Sequence, residues 1–328
     1  RALVDKTLGE APFASLQKAT VEGLPIAPLY PPAPEPQAPA RCVSADRAWE
    51  VATLSGHPDP ARVNAEILAD LCGGAAAAVV RIDPAGQRGS AIGSPDALAR
   101  ALDGVILELA PVALDAGFLG PAAADWLGAA AKAAPNALLR FHLDPLSAYA
   151  EAGASPGPIE AHLISAANVA ARLAETYPQA KLFLASGRVV HEAGGGEAGE
   201  VAFAASAAVA YAKALVRAGL PMAQAFARIT LGLCADADYF VTIAKLRAAR
   251  SLWARIAAAC GADPTARIEA RSSGRMLTAK DAWTNMIRLT AAGFAAAVGG
   301  ADTVILGNLT DALGLPTEFA RRQSRNKI

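Results

Sequence analysis

The sequence predicts a closed (β/α)8 TIM barrel entered by an extended, proline-rich N-terminal arm. Three observations predict it. Short β-favouring runs alternate strictly with longer alanine-rich helical runs, which implies parallel pairing of the strands. Eight such units fall within residues 46–328, the size of a single barrel of about 250 residues. No GxGxxG string follows the first strand, which weakens the open, doubly wound dinucleotide-binding alternative.

The arm covers residues 1–45. Residues 24–40 read LPIAPLYPPAPEPQAPA, seven prolines in seventeen residues. Each proline fixes φ and removes a donor, so this segment is extended or polyproline-like, either as a linker or as an arm on a partner. Strands are expected at 49–53, 77–82, 104–109, 137–143, 181–185, 227–233, 266–271 and 303–306. Between them, 61–71 places Val63, Ile67, Leu68 and Leu71 on one helical face and stops at Gly73 and Gly74. Ser94 caps a helix over 97–102, with Pro95 in its first turn. Helices over 122–134, 159–176, 200–218, 239–260 and 282–298 follow, all rich in Ala and Leu.

Composition narrows the class. The chain is 53% hydrophobic, 5% aromatic and 18% charged, with a net charge of +0. It is too apolar for disorder. Without a basic excess, neither nucleic acid nor an anionic membrane surface is an expected partner. The alanine-rich run from Val201 stops at Lys213, short of the roughly 18 residues a spanning helix needs. No basic-then-apolar leader is visible, and the start at Arg1 rather than Met implies that the true N-terminus is missing. Cys42, Cys72, Cys234 and Cys260 are far apart, and His57, His142, His162 and His191 show no HExxH spacing. Neither a metal site nor a disulfide framework is expected, and a reducing cytoplasm is the simplest setting.

In such a barrel chemistry sits where the strands end. The second strand exits through Arg81-Ile82-Asp83-Pro84 and the fourth through Arg140-Phe141-His142-Leu143-Asp144-Pro145. Arg81 and Asp83 read as an ion pair. The fifth exit holds His191 and Glu192, an acid/base or metal pair in one reading and a solvated loop histidine in the blander, preferred one. Gly194-Gly195-Gly196 is a weak phosphate cradle with no Lys-Ser/Thr after it, so a plain loop is preferred. Asp236 and Asp238 lack a third nearby ligand. These residues alone leave a barrel with an unassigned site.

Four strings go further: YFVTIAKLRAARSLWA at 239–254, ARIEARSSGRMLTAKDAWTN at 266–285, FAAAVGGAD at 294–302 and ALGLPTEFARRQSRN at 312–326. With Ser186-Gly187, Glu192-Ala193-Gly194 and the entry segment EGLPIAPLY at 22–30, they resemble the substrate barrel of methylmalonyl-CoA mutase and related adenosylcobalamin-dependent acyl-CoA mutases. The resemblance is dense over about 180–326 and thin over 41–180. It implies a barrel that threads the pantetheine arm of an acyl-CoA along its axis. It also implies a separate cobalamin domain over the mouth, and interconversion of methylmalonyl-CoA and succinyl-CoA by a radical 1,2-rearrangement.

Residue by residue, this sequence departs from the catalytic pattern. The family string SGYHxxEAG is here SGRVVHEAG, so the Tyr-His pair falls on Arg188 and Val189, and a side chain without donor or acceptor replaces the His that meets the migrating thioester. His191, two residues on, is expected to point elsewhere on a strand-like exit. Glu192 matches a Glu near the cofactor. RTHxQTSG becomes 267–274, with Glu269 and Arg271 in place of substrate-facing His and Gln, and a Glu that contacts the adenosyl ribose falls on Ala292. An Arg-Pro-Trp-Thr motif is missing from 1–100, and no DxHxxG string of a cobalamin domain occurs.

By resemblance, then, no catalytic residue is expected in this chain. It reads as the small, non-catalytic subunit of a heterodimer with a homologous large catalytic subunit, which binds adenosylcobalamin and the acyl-CoA; none of the cofactor is expected on this chain alone. The arm would lie on that partner, where a pre-extended segment loses less entropy. Two alternatives stand beside this: a competent barrel whose cobalamin domain is separate or truncated, and a barrel repurposed as a scaffold or for another acyl-CoA.

Overall fold

A computed structural model describes residues 2–31 and 48–327. Eight strands close into a parallel ring: β1 (Glu50–Ser55), β2 (Ala77–Arg81), β3 (Val112–Asp115), β4 (Leu139–Leu143), β5 (Lys181–Ser186), β6 (Ile229–Ala235), β7 (Ile268–Ser272) and β8 (Thr303–Ile305). Closure comes from β8, which pairs with β1 (Val304 opposite Val51) and with β7 (Val304 opposite Ala270). Around the ring lie α1 (Pro60–Cys72), α2 (Pro95–Ala101), α3 (Gly120–Ala130), α4 (Ile159–Thr176), α5 (Glu197–Arg217), α6 (Tyr239–Ala259), α7 (Ala282–Gly299) and α8 (Glu318–Arg325).

The helix starts follow side-chain capping. Ser94 Oγ accepts from the Ala97 amide, and Asp59 from the Ala61 amide just ahead of Pro60. At the end of α1, Gly74 takes φ +102°, a backbone state that L side chains rarely adopt. The third strand corrects the sequence expectation. Residues 104–109 form turns that leave Ile106 and Leu109 exposed, whereas Val112, Ala113 and Leu114 are buried. The apolar run GVILEL imitates a strand; the short VALD after Pro111 is the one that fills the ring. Helix α8, not predicted as a helix, is capped by Thr317 and rests on β1 and α1.

Two apolar regions result. The larger lies between strands and helices and is lined by alanines of α3, α4, α5 and α7, whose small side chains let the helices sit close to the sheet. Phe141, Phe183, Leu114, Leu127, Leu139 and Leu143 are fully buried in it, each contributing about 1.5–3 kcal/mol. The smaller, inside the ring, holds Ala52, Ala77, Val79, Ala113 and Ile305. Among the described residues α5 alone is long and apolar enough, by length and composition, to cross a membrane. It packs against the ring, with Ala204, Ala207, Ala208, Ala212 and Leu215 buried in the common core.

The described part of the arm is not one extended segment. It contains a helix (Ala2–Leu8), a 3-10 turn (Phe13–Leu16) and an antiparallel pairing of Lys18–Ala19 with Pro25–Ile26. The remainder of the proline-rich stretch beyond residue 31, and Cys42, lie outside the described residues.

Candidate site at the barrel mouth

The interior of the ring is ionic as well as apolar. At its base the Arg140 guanidinium forks onto Glu50, with Nη1 to Oε1 at 2.6 Å and Nη2 to Oε2 at 2.8 Å, and Thr303 Oγ1 donates to Glu50 at 3.2 Å. Higher up, His142 Nδ1 stands 3.8 Å from Glu269 Oε2. The Arg271 Nε donates to Glu269 Oε1 at 2.8 Å and its Nη1 to Asp115 Oδ2 at 2.7 Å. At the mouth Arg81 reaches the same Asp115 oxygen at 3.2 Å from both Nε and Nη2. Glu269, Arg271 and His142 are buried. Burial disfavours the Asp115 carboxylate, yet the arginines 81, 271 and 188 hold it far below the usual carboxylate range.

His142 is bent to fit. Its φ of 47° is the only left-handed backbone among non-glycine described residues, and the β4–β5 register shifts between Arg140 and Leu143. A bulge of this kind re-aims one side chain, and a left-handed non-glycine costs about 1–3 kcal/mol. Burial pushes the imidazole down to about 4, so it is neutral at pH 7 despite the nearby Glu269.

Above the ladder opens a cavity of 770 Å³, lined by residues including His142, Asp144, Ser186, Arg188, Val189, Glu192 and Arg271. A second cavity of 440 Å³ shares Arg81, Arg188, Glu192 and Arg271 with it and extends toward β8 and α8. Asp144 accepts from Tyr211 Oη at 2.5 Å and from the Ser186 amide at 3.2 Å. Burial lifts its carboxyl to about 7 from an ordinary 3.8. With the folded value raised, the fold binds this proton more tightly than the unfolded chain does. The stabilisation is therefore complete below about pH 4 and is lost as pH rises to about 7. Asp144→Asn should remove that slope, so its stability relative to the native chain improves between pH 5 and pH 8, by up to about 1.4 kcal/mol per unit. Urea melts at the two pH values check this; parallel losses in both proteins would refute the assignment.

Beside the mouth, the turn after β5 is helical (Arg188–Glu192), not strand-like as expected. This turns His191 inward. It is wholly buried rather than solvated, with Nε2 2.8 Å from Ser273 Oγ and 3.3 Å from Asp236, and Nδ1 3.5 Å from Glu200. Burial works against its charge, but the Asp236 and Glu200 carboxylates raise its pKa overall. Its acidic partners are thus Glu200 and Asp236, not Glu192. Glu200 also takes Lys245 Nζ at 2.6 Å. The expected Arg81–Asp83 pair does not form: Arg81 goes to Asp115, and Asp83 accepts the amides of Ala85, Gln87 and Arg88. The triple glycine leads into α5, where the Glu22 carboxylate of the arm accepts the Ala198 amide at 2.7 Å. That helix end is thus met by the chain's own anion.

The methylmalonyl-CoA mutase family profile matches residues 37–328. The chain belongs to the methylmalonyl-CoA mutase family. It is 39% identical over 284 residues to a methylmalonyl-CoA mutase small subunit of Streptomyces virginiae, an alignment covering 85% of this chain and 44% of that protein. A probable methylmalonyl-CoA mutase small subunit of Mycobacterium tuberculosis is 35% identical, with 97% and 54% covered. The small subunit of Propionibacterium freudenreichii subsp. shermanii is 33% identical, with 94% and 50% covered. The chain spans about half the length of these curated relatives.

Within this mutase-family barrel, Arg188, Val189, Glu192 and Arg271 meet at the mouth, and Glu269 lies just below them on the axis. Glu192 is engaged by the amides of Gly274 at 2.9 Å and Arg275 at 3.2 Å. Ala292 is not with them. It is buried on α7 in the core between helices and ring and lines neither cavity. The strings that carry the family resemblance are scaffold. In KLRAARSLWA, Lys245 pairs with Glu200, Arg250 with Asp302 at 2.6 Å, and Trp253 stacks on Phe226. In the last string Arg321 joins Ser55, Glu66 and Asp70, and Arg325 joins Asp70, tying α8 to the first strand and helix. Sequence reading missed Glu50 and Asp115 as members of the axis. Their signal was a charged residue at a strand end facing an arginine on another strand, which for Asp115 is legible only once β3 is placed correctly.

Proposed function

We propose that this chain is the barrel of the small, non-catalytic subunit of an adenosylcobalamin-dependent methylmalonyl-CoA mutase. It would be an assembly partner of a homologous large subunit that carries the cofactor, the acyl-CoA and the isomerisation. In that reading it works in the cytoplasm as one half of a heterodimer, its arm, residues 1–45, lying on the partner, and its barrel taking up 46–328.

One observation carries the reading: the axis along which an acyl-CoA arm would pass is filled. Arg140 with Glu50, and Arg271 with Glu269 and Asp115, form ion pairs across it; Arg140, Arg271 and Glu269 are buried, and Glu50 and Asp115 are partly so. A pantetheine arm would have to part the buried Arg271–Glu269 pair, a cost of several kcal/mol. The residues at the mouth do not fit the cofactor either. Val189 offers no hydrogen bond to a thioester carbonyl, Ala292 is sealed in the helix layer, and Glu192 is already committed to two backbone amides.

The test uses this chain with and without a large subunit. Alone, it should neither isomerise methylmalonyl-CoA nor shift the cobalamin absorbance spectrum; together, the two should co-purify and the complex should turn over. Val189→His in the complex should leave kcat within about twofold. Cobalamin binding or turnover by the chain alone, or a large change in kcat with Val189→His, would sink the reading in favour of a competent barrel.

A further inference from the structure

His191 joins the exits of β5, β6 and β7 through one buried ring. Its Nε2 lies 2.8 Å from Ser273 Oγ, just past β7, and 3.3 Å from Asp236, just past β6; its Nδ1 faces Glu200 of α5 at 3.5 Å. The same helical turn is stapled to the β7 exit by Arg275, whose Nη1 donates to the His191 carbonyl at 2.7 Å and to the Gly195 carbonyl at 3.2 Å. Glu192 accepts the amides of Gly274 and Arg275. Val189 and Glu192 of this turn, and Gly274 after β7, line the cavities at the mouth. A contact that holds the turn therefore holds one wall of the mouth.

The charged groups around the ring are held unequally. Glu200 is wholly buried, and it has Lys245 of α6 at 2.6 Å and the Cys234 amide at 2.5 Å besides His191. Cys234 itself is kept a neutral thiol by burial. Asp236 has weaker company: the Asp238 amide at 3.3 Å and, at 3.9 Å, the partly exposed Arg275. Its side chain is 20% exposed, so water can reach it.

An imidazolium serves both carboxylates, because both of its nitrogens donate. A neutral imidazole has one N–H, so whichever nitrogen keeps it, one carboxylate meets a lone pair. Glu200, buried and pinned by Lys245, cannot withdraw. Asp236 can.

We propose that His191 is a proton-operated clasp on the barrel mouth: charged, it holds the exits of β5, β6 and β7 together, and on losing its proton it frees Asp236 and loosens that side of the wall. This goes beyond the partner role proposed above and stands independently of it. Burial opposes the charge on the ring, but hydrogen bonds to Asp236 and Glu200 lift its pKa above the ordinary 6.5. With the folded value raised, the stabilisation is complete below about pH 6.5 and is lost as pH rises through the folded value. The clasp is thus closed on the acid side and opens on the alkaline side.

Hydrogen–deuterium exchange of the full chain at pH 6 and pH 9, corrected for the intrinsic pH dependence of exchange, tests it. The comparison is His191→Gln, which keeps a polar group beside Ser273 but cannot titrate. In the native chain, segments 187–196, 236–240 and 273–277 should exchange about fivefold or more faster at pH 9 than at pH 6, and in the variant the ratio should stay within about twofold. The other titrating groups are common to both proteins and cancel. Asp236→Asn gives a second reading should His191→Gln fail to fold. Proton NMR of the imidazole should place the His191 midpoint above 6.5 in the native chain and lower in Asp236→Asn. Equal protection of the three exits at both pH values in the native chain, the same pH response in His191→Gln, or a midpoint that Asp236→Asn leaves in place overturns the clasp.

Discussion

Arg271→Met is expected to destabilise the barrel by about 3–5 kcal/mol at neutral pH, the usual penalty for removing one partner of a buried ion pair. The reason is what remains. Arg271 holds Asp115 at 2.7 Å and Glu269 at 2.8 Å; without it Asp115 keeps Arg81, but Glu269 keeps only a neutral His142 and the more distant Arg140. Methionine matches the length of the side chain, so the loss reports on charge more than on volume. The pH dependence gives a second reading. In the native chain both carboxyls are held below their ordinary values of 3.8 and 4.5, so their contribution is present above those values and lost as pH falls through the folded ones. In Arg271→Met the Glu269 carboxyl should titrate higher than in the native chain, because burial is then opposed mainly by the more distant Arg140, whereas Asp115 stays low beside Arg81 and Arg188. The gap between variant and native chain should thus be widest at pH 7 and narrow toward pH 4, where a protonated carboxyl tolerates burial. Urea unfolding across that range checks it, and a gap constant with pH would mean that packing, not charge, sets the loss.

Arg250→Met should cost a similar amount, about 3–5 kcal/mol, by a different route. The Arg250 guanidinium is buried and donates to the Ala266 carbonyl at 2.7 Å, to the Gly300 carbonyl at 2.5 Å and to Asp302 at 2.6 Å. Asp302 in turn accepts the Ile268 amide at 2.7 Å. One side chain of α6 thereby fixes the entry of both β7 and β8, the last two strands of the chain. Arg250→Lys should recover only part of the loss, since an ammonium is a point donor and cannot reproduce a fork that reaches three acceptors. The readout is the denaturant midpoint of the three proteins. Lysine equal to arginine would show that charge alone suffices there.

Much of the fold was legible because periodicity and punctuation agree with tertiary packing. Ser94-Pro95 and Gly73-Gly74 act locally, and the structure places helix ends beside them. The third strand was not legible, since 104–109 and 112–115 are both apolar and only ring closure distinguishes them. Family resemblance located Arg188, Val189, Glu192 and Arg271, and they do meet in space. What spacing could not show is pairing across the ring. Arg81 lies two residues from Asp83 and thirty-four from Asp115, yet bonds to the distant one. His191 was misjudged for the same reason, because its acidic partners arrive from α5 and the end of β6.

The filled axis also dictates an order of events. Arg140 and Glu50 are 90 residues apart, Arg271 and Asp115 are 156 apart, and Thr303 and Glu50 are 253 apart. No local segment can assemble such pairs, and long-range contacts of this kind form late, after loop closure has been opposed by chain entropy. The charges of the axis can lose their water only when strands distant in sequence have come together. The filled axis thus ties the dehydration of its charges to closure of the ring rather than to the formation of any one strand or helix.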